Sequence, residues 1–152
     1  MADLNTLPLT GLRVIDLGDG KAEMCGRLLA DLGAEVILVE PPEGMAARRK
    51  APFVAGESLH FASHNANKKS VCLELTSAPG KAQFLSLIDS ADIVIETAKP
   101  GDMAALGLDA AALRERRPDL VVLSISDFGQ TGPYRDYQAS NAVQLAMAAV
   151  LA

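Results

Sequence analysis

Ser140 and Asn141 stand where a turn-rich loop meets an apolar helical pattern, in FGQTGPYRDYQASNAVQLAMAAV, Phe128 to Val150. Neither side chain ionises at neutral pH. Asn141 can donate and accept hydrogen bonds, and it is a good helix N-cap. The nearest acids, Asp127 and Asp136, lie on the loop itself. His60 and His64 lie i, i+4 in SLHFASHNANKKS. A helical pair of this spacing can bind a metal, but no acidic third ligand accompanies it in the sequence, so polar packing and no metal is the expectation. Cys25 and Cys72 have no C-x-x-C spacing and no nearby His, which fits two buried, reduced thiols.

Three further groups could meet phosphate. Gly18 and Gly20 follow the first apolar run as G-x-G, and Glu40 ends the second. A dinucleotide site would use such glycines for close pyrophosphate approach and the acid for a ribose. The third glycine is Gly26, too late for G-x-G-x-x-G, so a tight turn that needs glycine is the better reading. Lys68 and Lys69 in NANKKS, and Lys99 in ETAKPG, can act as point charges toward phosphate. The competing readings are a solvated strand start and a turn fixed by Pro100-Gly101.

The elements that must position these residues alternate strand and helix. Strands are predicted at Leu12–Leu17, Glu35–Glu40, Ser70–Leu75, Asp92–Glu96 and Leu120–Ser126. The first two are nearly continuous apolar runs, as expected for strands buried on both faces of a parallel sheet. Helices are predicted at Ala22–Leu32, with Met24, Leu28, Leu29 and Leu32 at helical spacing, and at Pro79–Ser90, with Phe84, Leu85 and Ile88 inward. Two more run from Asp109 to Arg117 and over Asn141–Leu151. Pro42–Asn67 reads as a long irregular segment, a length usually functional or mobile. The whole is one α/β layer structure, Rossmann-like, with a mostly parallel sheet and flanking helices. Ligands in such sheets bind at the carboxyl ends of the strands.

The 152 residues carry a net charge of −5, with 49% hydrophobic and 22% charged residues. This balance is globular and argues against a general nucleic-acid or acidic-membrane surface. No apolar run reaches membrane-spanning length.

The order TGLRVIDL, CGRLLADLGAEVILVEPP, NANKKSVCLEL, ADIVIETAKPG, LVVLSISDFGQTGP resembles the family III CoA-transferases of the CaiB/BaiF type. That group includes formyl-CoA transferase, carnitine CoA-transferase and alpha-methylacyl-CoA racemase. The resemblance runs from about Leu9 to the last residue. It implies a cytoplasmic enzyme of acyl-CoA metabolism that takes acyl-CoA and a carboxylic acid as substrates. It implies that Met1–Ala152 is a single CoA-binding segment, an incomplete large domain of a longer or tandem chain, and that two subunits interlock as a homodimer. By the family pattern, Gly20, Lys21, Leu73, Thr76, Thr97, Ala98, Lys99 and Leu106 should lie along coenzyme A.

In the transferases an aspartate a few residues past the FGQTGPY loop attacks the thioester carbonyl. It forms an acyl-enzyme anhydride and releases CoA thiolate, which is covalent catalysis by a carboxylate. Asn141 occupies the matching position here, so the resemblance implies a segment inactive as it stands. Ser140 occupies the position of the racemase branch's histidine. The family's E-N-F-R-P-G reads E-T-A-K-P-G, which removes an aromatic face at Ala98 and turns an arginine into Lys99. Two other readings remain open at this point: a non-catalytic α/β module that binds a nucleotide or a partner, and a fragment of a dinucleotide-dependent oxidoreductase. The apolar face of the last helix (Val143, Met147, Val150, Leu151) is expected to lack a partner, leaving the piece marginal on its own.

Overall fold

The computed structural model describes residues 7–150. Along the chain come β1 (Arg13–Leu17), α1 (Glu23–Asp31), β2 (Glu35–Glu40), a 3-10 turn (Ala46–Arg49), β3 (Phe53–Val54), β4 (Glu57–Ser58) and α2 (Leu59–Asn65). There follow β5 (Lys69–Cys72), α3 (Ala78–Ile88), β6 (Ile93–Glu96), α4 (Asp102–Ala105), α5 (Ala110–Arg116), β7 (Val121–Ser124) and α6 (Asn141–Met147). Five strands form one sheet in the order β5-β2-β1-β6-β7, and every pairing is parallel. β3 and β4 form a separate antiparallel pair.

The continuous apolar runs do what their composition requires. Neighbouring residues of a strand point to opposite faces, and both faces are covered. On β1, Val14 joins a cluster with Ala22, Val36 and Ile95, while Ile15 joins the opposite one with Phe84, Ile88 and Val94. Phe84 and Ile88 of α3 are fully buried. The edge strands β5 and β7 are largely exposed, so they need less apolar sequence.

Helix starts follow from side-chain caps. Ser58, Ser77, Asp109 and Ser140 each accept a hydrogen bond from the backbone N–H three residues on, which satisfies a donor that the first turn leaves free. The cap of α6 is thus Ser140, not Asn141, which is the first helical residue.

Several expectations are corrected. The third long strand ends at Cys72 rather than Leu75, because the chain turns through Glu74, whose side chain binds the Thr76 N–H and hydroxyl. The segment 42–67, read as irregular, contains β3, β4 and α2. Met24, Leu28 and Leu32 are 45%, 55% and 45% exposed. α1 instead turns Gly26 and Glu23 inward, because Asp16 and Lys68 occupy the space beneath it. Cys72 is exposed and Cys25 half-buried, so the thiols are free but not both interior.

Candidate functional site

The chain builds outward from β1 through β2 to β5, then returns to the other side of β1 with β6 and β7. The order reverses between β1 and β6, and in open α/β sheets the crevice at the carboxyl ends of such strands is where ligands sit. The loops that follow these two strands are 18–22 and 97–101. They are tied together: the Thr97 hydroxyl accepts a hydrogen bond from the Asp19 N–H at 2.9 Å. Gly20 has φ +71°, the left-handed conformation that glycine adopts freely.

A cleft of about 410 Å³ opens at this point, lined by Lys21, Thr97, Ala98, Lys99, Ser126, Asp127 and residues 135–139. Four of the residues expected along the cofactor therefore meet in one cavity. Lys21 crosses it to Asp127, Nζ to Oδ1 at 2.8 Å. Asp127 also accepts from the Ala139 N–H at 3.1 Å. The Lys21 ammonium, and next the Ala139 amide, hold its carboxyl below the usual range. Lys99 has no ion pair among the described residues and also lines an adjoining cavity of about 260 Å³ with Gln130 and Met103. The Ser126 hydroxyl is buried in the cleft with no partner.

A third cleft, of about 370 Å³, lies across the Asp19–Lys21 turn, floored by Leu17, Val39, Leu73 and Leu75 and rimmed by Gly44 and Arg49. Leu73 is the one expected residue there. Gly20 lies in the turn between the two clefts, and Thr76, Leu106 and Asn141 line none of the three. Thr76 closes its own turn onto Glu74, and the Leu106 carbonyl accepts from Lys81. Asn141 is exposed at the start of α6. Of the two acids on the loop, Asp127 is held by Lys21, while Asp136 is solvent-facing beside Arg135.

Other expectations resolve into structure. Glu40, placed where a ribose-binding acid would stand, is fully engaged. Arg48 grips both its oxygens at 2.6 Å, and Ser70 and the Met45 N–H donate to it. Lys68 meets no ligand either. Its ammonium, 1% exposed, donates to Asp16, to Asn65 Oδ1 and to the Glu23 carbonyl at 2.7–2.8 Å. Lys69 pairs with Glu35. The rim of the third cleft and the buried Ser126 hydroxyl were missed in the sequence. The turn residues of the segment 42–67 were the only signal for the former.

Residues 9–152 match the family described as CoA-transferase family III. The chain belongs to that family. It is 45% identical over 142 residues to a probable CoA-transferase of Mycobacterium tuberculosis, covering 91% of this chain and 18% of that protein. It is 42% identical over 139 residues to the succinate–glutarate CoA-transferase of Agrobacterium fabrum, covering 86% of this chain and 35% of the relative. Among solved structures, a CaiB/BaiF family protein from Brucella suis superposes with a TM-score of 0.87 at 36% identity, covering 92% of this chain and 39% of the other. The chain thus spans well under half the length of these family III relatives. Family III CoA-transferases act on CoA thioesters. No described helix is long and apolar enough to cross a membrane.

Proposed function

We propose that this chain is the CoA-holding N-terminal segment of a family III acyl-CoA:carboxylate CoA-transferase, and that it forms no acyl-enzyme of its own. The observation that carries the first part is the cleft at the strand-order reversal. There an acidic chain gathers Lys21, Lys99 and the unpartnered Ser126 hydroxyl beside the backbone of residues 97–99. In a molecule of net charge −5 a polyphosphate needs such a local cationic setting. Lys99 meets the phosphates as a free cation, and Lys21 adds its charge to the same cleft while paired with Asp127. The neighbouring cleft, with its leucine and valine floor, suits a flat or apolar portion of the cofactor.

The second part rests on Asn141. Forming an acyl-enzyme anhydride from a thioester needs an electron pair on a carboxylate oxygen. The carboxamide nitrogen's pair is delocalised and its oxygen carries no charge. Asp127 is held by Lys21 and is a weak base for the same reason. The acyl acceptor, a cytoplasmic setting and assembly as an interlocked homodimer, or with the remainder of a longer chain, follow from the same family reading. Labelled acyl-CoA incubated with the complete protein tests it. No hydroxylamine-sensitive label should reside on this segment, and Asn141→Asp should create one. Labelling of the unmutated segment, at Asp127 or Asp136, would overturn the reading. A non-catalytic binding role gains support if Asn141→Asp forms no adduct while CoA still binds.

A further inference from the structure

His60 and His64 lie one turn apart on α2, and the sequence around them offers no acidic third ligand. The fold supplies one. Glu23, the first residue of α1, reaches them, and one donor atom from each of the three lies within 4.8 Å of the others. From this geometry we infer a divalent-cation site of the zinc class, formed by Glu23, His60 and His64, that clips α1 to α2.

Three observations carry it. First, His60 Nε2 is 3.2 Å from Glu23 Oε2. Two ligands bound to one zinc at ~2.0–2.1 Å in tetrahedral array lie ~3.4 Å apart. Second, the Glu23 carboxylate is only 3% exposed, and its other oxygen, Oε1, is buried with no hydrogen-bond partner. Such an oxygen normally has a donor or a cation. Third, His64 Nδ1 is 2.8 Å from the His60 carbonyl. The Ser63 hydroxyl also lies 2.9 Å from Nδ1; in the tautomer whose Nδ1–H donates to the carbonyl, Nε2 keeps its lone pair. In that tautomer the outer hydrogen bond orients a metal-binding imidazole; the two rings, stacked at 4.0 Å with planes 24° apart, splay toward Glu23 to share the ion.

The donor set of two imidazoles and one carboxylate suits zinc and its neighbours rather than calcium or magnesium. It leaves a fourth position open on the half-exposed side of α2. None of the three residues lines the clefts at the strand ends, so the site stands apart from the CoA reading. It sits over the Asp16–Lys68 pair, since Lys68 donates to the Glu23 carbonyl.

Zinc chloride titrated into the metal-stripped full chain against a chromophoric chelator is the test. One equivalent should bind. His64→Gln and His60→Gln should each lose at least about tenfold in affinity, while Cys72→Ser, at an exposed thiol outside the cluster, should lose none. As a measurement independent of variant folding, zinc should protect both histidines of the unmutated protein from diethyl pyrocarbonate. Absence of stoichiometric binding, or modification unchanged by zinc, would reduce the cluster to a hydrogen-bonded histidine pair and overturn the proposal.

Discussion

At the scale of single residues, the charged groups divide into those that hold the fold and those left for a ligand. Glu40 belongs to the first kind. Arg48, then Ser70 and the Met45 amide, lower its pKa from 4.5 to about 2, against the opposing effect of burial. A carboxyl depressed in the folded state contributes stability above its unfolded pKa and loses it as pH falls through the folded one. The contribution, about 3 kcal/mol by linkage, should be intact above pH 4.5 and disappear toward pH 2. Urea midpoints measured across that window should fall more steeply for the unmutated chain than for Glu40→Gln. Lys99 belongs to the second kind. Its charge was visible in the sequence, but so were those of Lys68 and Lys69. Nothing in NANKKS distinguishes a lysine that faces phosphate from one that closes a buried polar knot. The distinction depends on Asp16, 52 positions away, which only the sheet brings alongside.

At the scale of elements, that knot joins β1, α1 and α2. Asp16 on β1 accepts from Lys68 and from the Gly18 N–H at 2.8 Å. Burial still raises its pKa above the ordinary value despite Lys68. α1 crosses so closely that a Cβ on Gly26 would lie 2.0 Å from Asp16 Oδ2. Removing one partner of a buried pair leaves an uncompensated charge. Lys68→Ala should therefore destabilise the chain by about 3–5 kcal/mol, read from chemical denaturation, whereas Lys69→Ala, at an exposed pair, should cost no more than about 1 kcal/mol. The strands were legible because burial on both faces demands uninterrupted apolar sequence, as in RVIDL and EVILVE. α2 was not, since LHFASHN is short and buries only Asn65. α1 was placed correctly, but of its four helically spaced apolar residues Leu29 alone packs on the core, because part of the space beneath the helix is filled by an ion pair.

At the scale of the whole molecule, the parallel order β5-β2-β1-β6-β7 sets where a ligand can lie. The reversal beside β1 puts Lys21 and Lys99 across one opening, although 78 positions separate them. The alternating strand–helix pattern in the sequence pointed to this edge of the sheet, because open parallel sheets bind ligands at the carboxyl ends of their strands. The helix that begins at Asn141 and the exposed Val143, Met147 and Val150 were legible in the sequence; that Asn141 lines none of the clefts was not. Leu151, expected on that same face, lies outside the described residues. The exposed stripe of Met24, Leu28 and Leu32 on α1 is a second such face. The cleft between the β1 and β6 loops is the seat we propose for coenzyme A. Calorimetric titration of the full chain with CoA, repeated with Lys99→Ala, is the measurement to make. The expected result is saturable one-to-one binding that weakens about tenfold or more in the variant, as loss of a charge-assisted phosphate contact implies. No saturable binding, or equal affinity in both proteins, would contradict it.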